Sequence, residues 1–190
     1  VSDKRRFLRE KALLVARFLC IYLADHCVRI EVAGSLRRRK AEVGDIELVF
    51  IPDMQMEPVD FFTTNSVSCV DKVLEDMIRK GILAKRLNVR GGTAWGERNK
   101  LALHVESGIP VDLFAATSAN WFNYLVCRTG PGESNIRIAT AAQAKGWKWN
   151  PYGDGFSRPA GLGREIHPVK SEREVFEFVG LEYKEPWERV

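Results

Sequence analysis

Val28-Arg29-Ile30-Glu31-Val32-Ala33-Gly34-Ser35-Leu36-Arg37-Arg38-Arg39-Lys40, continued by Gly44-Asp45-Ile46-Glu47-Leu48-Val49-Phe50, is the stretch on which the fold turns. Val28, Ile30 and Val32 alternate with Arg29 and Glu31, the period of a half-buried strand, and Gly34 ends it. Residues 35–40 are short, basic and compatible with a helical turn. Residues 45–51 read as a second strand, with Ile46, Leu48 and Phe50 on one face and Asp45, Glu47 and Val49 on the other. Two carboxylates two residues apart therefore leave the same face. Between the strands, a glycine lets backbone come close to a phosphate, and a helix starting there presents unpaired N–H groups and its positive dipole end. Ser35 adds a hydroxyl, and an arginine of the run suits bidentate bonding to a phosphate.

Upstream, Leu8, Ala12, Val15, Leu19 and Leu23 recur at helical spacing and predict an amphipathic helix over about 3–26, with Ser2 as N-cap. Downstream, residues 52–65 hold two prolines and paired threonines and read as a loop. Ser66 or Ser68 then opens a helix carrying Val70, Val73, Leu74, Met77 and Ile78, stopped by Gly81. Three strand-like runs come next at 82–89, 100–105 and 109–115, the last two a hairpin candidate broken at Ser107 and Gly108. Asp112 sits mid-strand between Val111 and Leu113, so its face is opposite to an apolar pair. If its strand neighbours 45–51, Asp45, Glu47 and Asp112 converge on one pair of ions. Magnesium takes hard oxygen donors of this kind, and nucleotidyl transfer needs such ions to neutralise the attacking and leaving oxygens.

From Ser118 the character changes. Trp121, Tyr124 and Leu125 begin a helix that breaks at Thr129-Gly130-Pro131-Gly132. A second helix is predicted over 135–145, strand fragments over 146–170, and a last short helix over 171–179. The chain thus reads as two modules, 1–116 and 117–190.

Composition narrows the class. At 190 residues with 45% hydrophobic and 28% charged content, the chain suits a globular protein and not a disordered one. Net charge is only +4, but residues 1–40 hold eleven Lys/Arg against four Asp/Glu, a local basic surface suited to phosphate. Cys20, Cys27, Cys69 and Cys127 show no CxxC or metal-finger spacing and read as reduced thiols of an intracellular protein. The first apolar run is interrupted by Arg9, Glu10, Lys11 and Arg17, unlike a signal peptide, and no stretch is apolar enough to span a membrane.

Gly34-Ser35, then Gly44-Asp45-Ile46-Glu47 after eight residues, resembles the signature of the polymerase beta superfamily. Ile109-Pro110-Val111-Asp112-Leu113-Phe114 resembles that superfamily's third-carboxylate strand. Arg128-Thr129-Gly130-Pro131, Asn135-Ile136-Arg137-Ile138 and the segment from Lys145 to Gly153 resemble the region C-terminal to the palm in family X DNA polymerases, and the end from Ser171 looks like that family's C-terminal segment. In layout the chain is similar to the short, two-subdomain repair polymerases of large DNA viruses. The resemblance implies an α+β fold: a nucleotidyltransferase palm, with a mixed or antiparallel sheet and helices on one face, over 1–116, and a small α+β subdomain binding the nascent base pair over 117–190.

It also implies roles. Asp45, Glu47 and Asp112 are the expected catalytic metal ligands, for two Mg2+ ions with Mn2+ as a substitute. Gly34, Ser35 and Arg38 are expected on the incoming triphosphate, Thr129 and Gly130 along its sugar and the nascent pair, and Asn135 at a base edge in the minor groove. Arg5, Arg6, Arg98, Lys100, Arg137 and Lys148 are expected to grip DNA through its phosphates, with steep salt dependence. The implied activity is DNA-directed DNA synthesis filling short gaps from dNTPs on primed or gapped DNA, with a ligase as a candidate repair partner. Departures from the family pattern are Glu47 where aspartate is usual, and Cys127-Arg128 where aromatic residues usually crowd the sugar 2′ position. The second predicts weak discrimination against rNTPs. The lyase and helix-hairpin-helix signals of longer relatives are not seen in this sequence. A template-independent nucleotidyltransferase, acting on nucleic-acid ends or a small acceptor, shares the same carboxylates and turn and stays open, as does a DNA-binding module with a degenerate site.

Overall fold

The computed structural model describes residues 5–58 and 63–189. In chain order the elements are β1 (Phe7–Leu8), α1 (Arg9–Ala24), β2 (Cys27–Val32), α2 (Gly34–Arg37), β3 (Glu42–Val43), β4 (Ile46–Pro52), β5 (Met54–Pro58), β6 (Thr64–Ser68) and α3 (Cys69–Arg79). They continue with β7 (Leu83–Lys85), β8 (Asn99–His104), β9 (Ile109–Ala115), α4 (Trp121–Thr129), α5 (Gly132–Ala144), β10 (Lys148–Asn150), β11 (Gly155–Ala160), β12 (Gly163–His167) and α6 (Glu172–Glu177). The mixture is α+β. Two compact units are formed, one of Val1–Val32 with Glu42–Ala115, the other of Ala33–Ala41 with Ala116–Val190. The segment carrying the basic turn is therefore grouped with the C-terminal residues. Among the described residues no helix is long and apolar enough to cross a membrane.

The first unit is built on a mixed five-stranded sheet in the order β2-β4-β9-β8-β7. β4 and β9 run parallel, and the other neighbours are antiparallel. Ile46, Leu48, Val111 and Leu113 are completely buried, as the alternation requires. Val49 is buried too, and Phe114 beside it is 4% exposed, so further along β4 and β9 both sheet faces are covered. β8 and β9 form the expected hairpin, its turn held by Gly108 N–H to the His104 carbonyl (2.9 Å), with Gly108 at φ +67°. α3 begins as anticipated, Ser68 Oγ accepting from Asp71 N–H at 3.2 Å.

Several expectations are corrected. α1 starts at Arg9 because Phe7 and Leu8 are extended and pair with Val43 and Glu42; Ser2 lies outside the described residues. Its buried stripe is Ala12, Ala16, Leu19 and Leu23, while Leu8 is exposed and Val15 half-buried. The loop anticipated over 52–65 is instead a ribbon in which β5 and β6 pair from Met54↔Ser68 to Pro58↔Thr64. Every β5 residue is exposed, so no apolar alternation marks the strand, and Pro58 stands at its end, where a missing donor is tolerated. The strand anticipated over 82–89 stops at Lys85. Asn88 folds the chain back, its Oδ1 accepting from Arg90 N–H (2.9 Å) and Gly92 N–H (3.1 Å).

The second unit packs α4, α5 and α6 with an antiparallel sheet of β10-β11-β12. Val126, Ile138, Ala142, Trp149, Phe156 and Val175 are its core. Trp149 Nε1–H donates to Asn123 Oδ1 at 2.8 Å, satisfying both polar groups in an apolar interior.

Candidate active site

In the first unit the parallel register sets Glu47 directly beside Asp112. Adjacent strands lie ~4.8 Å apart, so the two carboxylates occupy neighbouring positions on one face. The face is settled by the flanking residues: burial of Ile46, Leu48, Val111 and Leu113 forces 47 and 112 to the opposite, partly exposed side. Asp45, also half-buried, precedes β4 and stands two residues from Glu47, a separation of at most ~7 Å along extended chain.

Asp112 has a partner that the sequence did not announce. Arg86 Nη2 donates to Asp112 Oδ1 at 2.5 Å. Arg86 comes just after β7, and its own N–H bonds to the carbonyl of Leu101, the cross-strand neighbour of Asp112. That register carries the guanidinium to the carboxylate. Among the described residues no group of three or more His, Cys, Asp and Glu side chains is gathered as a metal-holding cluster. The donor chemistry still suits magnesium: carboxylate oxygens, two of them on adjacent strands and partly open to water. The cysteines do not compete. Burial pushes the Cys20 thiol up to about 11 and the Cys27 thiol up to about 12, so both stay protonated at neutral pH and neither is a nucleophile.

In the second unit the basic turn is bonded inward. Gly34 takes φ +61°, a conformation that suits glycine, and opens α2. Arg37 makes a two-pronged pair with Glu172, Nη2 to Oε1 at 2.6 Å and Nη1 to Oε2 at 2.9 Å, and Nη1 also donates to Thr129 Oγ1 at 2.9 Å. Arg38 donates through Nη1 to the Thr129 carbonyl. Glu172 accepts in addition from Arg189 Nη2 at 3.1 Å. Burial works to raise the Glu172 carboxyl, but the Arg37 bond and the charges of Arg37 and Arg189 outweigh it and hold the group below the usual carboxylate range.

This network places several anticipated residues. Thr129, expected along the sugar, is fully buried, with its hydroxyl taken by Arg37 and its carbonyl by Arg38. Gly130 is buried at φ +61°, and a Cβ there would come within 3.3 Å of Arg38 Nη1. Asn135 donates through Nδ2 to the Cys127 carbonyl at 2.8 Å, while its Oδ1 is buried without a hydrogen-bond partner. Ser35 is half-buried.

Among the residues expected to grip DNA, Arg5, Arg6, Arg98, Arg137 and Lys148 are exposed. Lys100 is a correction. It is 2% exposed, and its Nζ bonds to the Gly96 carbonyl (2.8 Å) and pairs with Asp71 (2.9 Å), so it has no outward charge to offer a phosphate. Arg86, Glu172 and Arg189 were invisible to sequence reasoning. Each is a charged residue in an ordinary charged stretch, and only long-range pairing distinguishes it.

No curated protein matches the chain. Residues 124–190, about a third of it, match the family model of the DNA polymerase beta thumb, which supports a polymerase-beta-like, family X DNA polymerase character for this protein.

Proposed function

We propose that the chain is a DNA-directed DNA polymerase that fills short gaps in repair, with the five-stranded mixed sheet serving as its nucleotidyltransferase palm. The observation carrying this reading is the parallel register that puts Glu47 beside Asp112, in a chain whose residues 124–190 are similar to a polymerase thumb. Asp45, Glu47 and Asp112 would hold two magnesium ions, whose chemistry is to neutralise charge on the attacking and leaving oxygens. The part-exposed Asp112 carboxylate is placed to orient the primer 3′-hydroxyl, with Arg86 fixing its rotamer. Gly34 and Ser35 hold the triphosphate, in a turn kept rigid by the bonds of Arg37 and Arg38 to Thr129. Exposed Arg5, Arg6, Arg98 and Lys148 would contact the DNA backbone.

The thumb similarity favours templated synthesis over untemplated end addition, because such a segment contacts a base pair. The test is magnesium-dependent extension of a one-nucleotide gap opposite each of the four template bases. Addition of the complementary nucleotide alone is expected, abolished by EDTA. Addition regardless of template, or none, would overturn the reading.

A further inference from the structure

The second unit holds a small cationic pocket apart from the turn bonded to Thr129. Ser134 and Arg137 lie three residues apart near the start of α5, hence on one face and close to the positive end of its dipole. With Phe176, Glu182, Lys184 and Arg189 they line a cavity of about 180 Å³, room for roughly six waters at ~30 Å³ each.

Its chemistry is unbalanced. Three cations, Arg137, Lys184 and Arg189, face the single carboxylate of Glu182. Among the described residues neither Arg137 nor Lys184 has an ion-pair partner. Arg189 is built in: it is 2% exposed, anchored by Nε to the Lys184 carbonyl at 2.9 Å and by Nη2 to Glu172 at 3.1 Å. Phe176 and Tyr183 lie under its guanidinium, with ring centroids 5.0 and 5.6 Å away. Its remaining nitrogen, Nη1, is buried with no hydrogen-bond partner. An unmet guanidinium N–H in such a place calls for an acceptor.

We propose that this pocket binds a phosphate monoester at the end of a DNA strand, the 5′-phosphate on the far side of a gap. A terminal monoester carries nearly two charges and three acceptor oxygens, one for each cation, whereas an internal phosphodiester carries one charge and two free oxygens. An enclosed site of this size takes a strand end more readily than a continuous backbone. The hydroxyl of Ser134 supplies a further donor. That the phosphate comes from DNA rests on the polymerase reading above; the phosphate chemistry itself does not.

Fluorescence anisotropy of the full chain on one-nucleotide-gapped DNA, with the downstream strand ending in 5′-phosphate or 5′-hydroxyl, tests this. The phosphorylated gap is expected to bind about tenfold tighter, since two or three charge-assisted bonds are at stake. The preference should vanish in both Arg137→Ala and Lys184→Ala at unchanged thermal midpoint, and millimolar inorganic phosphate should weaken binding of the phosphorylated gap only. Equal affinity for the two ends, or a preference that survives both substitutions, overturns the proposal. Phosphate that protects the chain thermally without any end preference leaves a free-phosphate site and overturns the DNA assignment. End preference without templated extension keeps the pocket and removes the polymerase reading; templated extension without end preference does the reverse.

Discussion

Asp112 in the first unit and Glu172 in the second are both carboxylates held by arginine, yet their surroundings assign them different work. Asp112 pairs with Arg86, whose side chain is 30% exposed. Glu172 is shared by Arg37, 20% exposed, and Arg189, 1% exposed. Take the charge from Asp112 and Arg86 can turn to water. Take it from Glu172 and a buried guanidinium is left without its counter-charge, the situation that makes broken interior pairs costly. The same pair of functional groups thus serves chemistry where water reaches it and cohesion where water does not.

The sharpest way to break this comparison is to neutralise each carboxylate in turn. Asp112→Asn should lower primer extension by roughly 10³-fold or more, several kcal/mol of transition-state stabilisation lost with a metal ligand. Its urea midpoint should stay near wild type; substantial retained extension would remove Asp112 from its proposed role. Glu172→Gln should do the opposite first, costing about 3 kcal/mol of unfolding free energy in urea titration. A midpoint equal to that of Asp112→Asn would erase the distinction.

Acid sharpens the same contrast. Because the folded Glu172 carboxyl lies below its ordinary value, its contribution to stability is present in full above the unfolded value of ~4.3 and is lost as pH falls through the folded one. Stability measured by urea titration should therefore decline as pH drops below ~4.3, and Glu172→Gln should lack that part of the decline. A slope identical in the two proteins would show that the pair does not carry it.

Smaller effects distinguish the two units at their surfaces. Cys127 and Arg128 precede Thr129, so single-nucleotide kinetics should show discrimination between dNTP and rNTP of no more than ~10-fold, the scale of one weak steric contact. Strong preference for dNTP would mean that another group closes the 2′ side. Smallest of all, Lys148→Ala should reduce the salt slope of DNA binding by about 1, one phosphate contact. Lys100→Ala should leave that slope unchanged and lower the thermal midpoint instead, since its charge is bound to Asp71.

Legibility tracked the range of the interaction. Glu47 and Asp112 were readable because each stands between apolar residues of a strand, and period-two alternation points them away from the core. The α3 cap at Ser68 and the hairpin at Gly108 were readable for the same local reason. The β5–β6 ribbon was not, since no face of β5 is buried and only backbone bonding holds it. Nor were Lys100, Arg37 or Arg86. A lysine in a basic loop and an arginine in a basic run look alike whether they meet water, phosphate or a carboxylate 135 residues away, as Arg37 does.

By itself, the order of residues determined which segments are helix or strand and which carboxylates could share a metal, because propensity, capping and alternation act between near neighbours. Only the tertiary structure decided that β4 lies parallel to β9 with Glu47 against Asp112, that Arg86 reaches that carboxylate, and that Arg37, Arg38 and Arg189 turn inward. Register and ion pairing compare many remote arrangements of similar local energy, and burial and electrostatics across the folded chain make the choice.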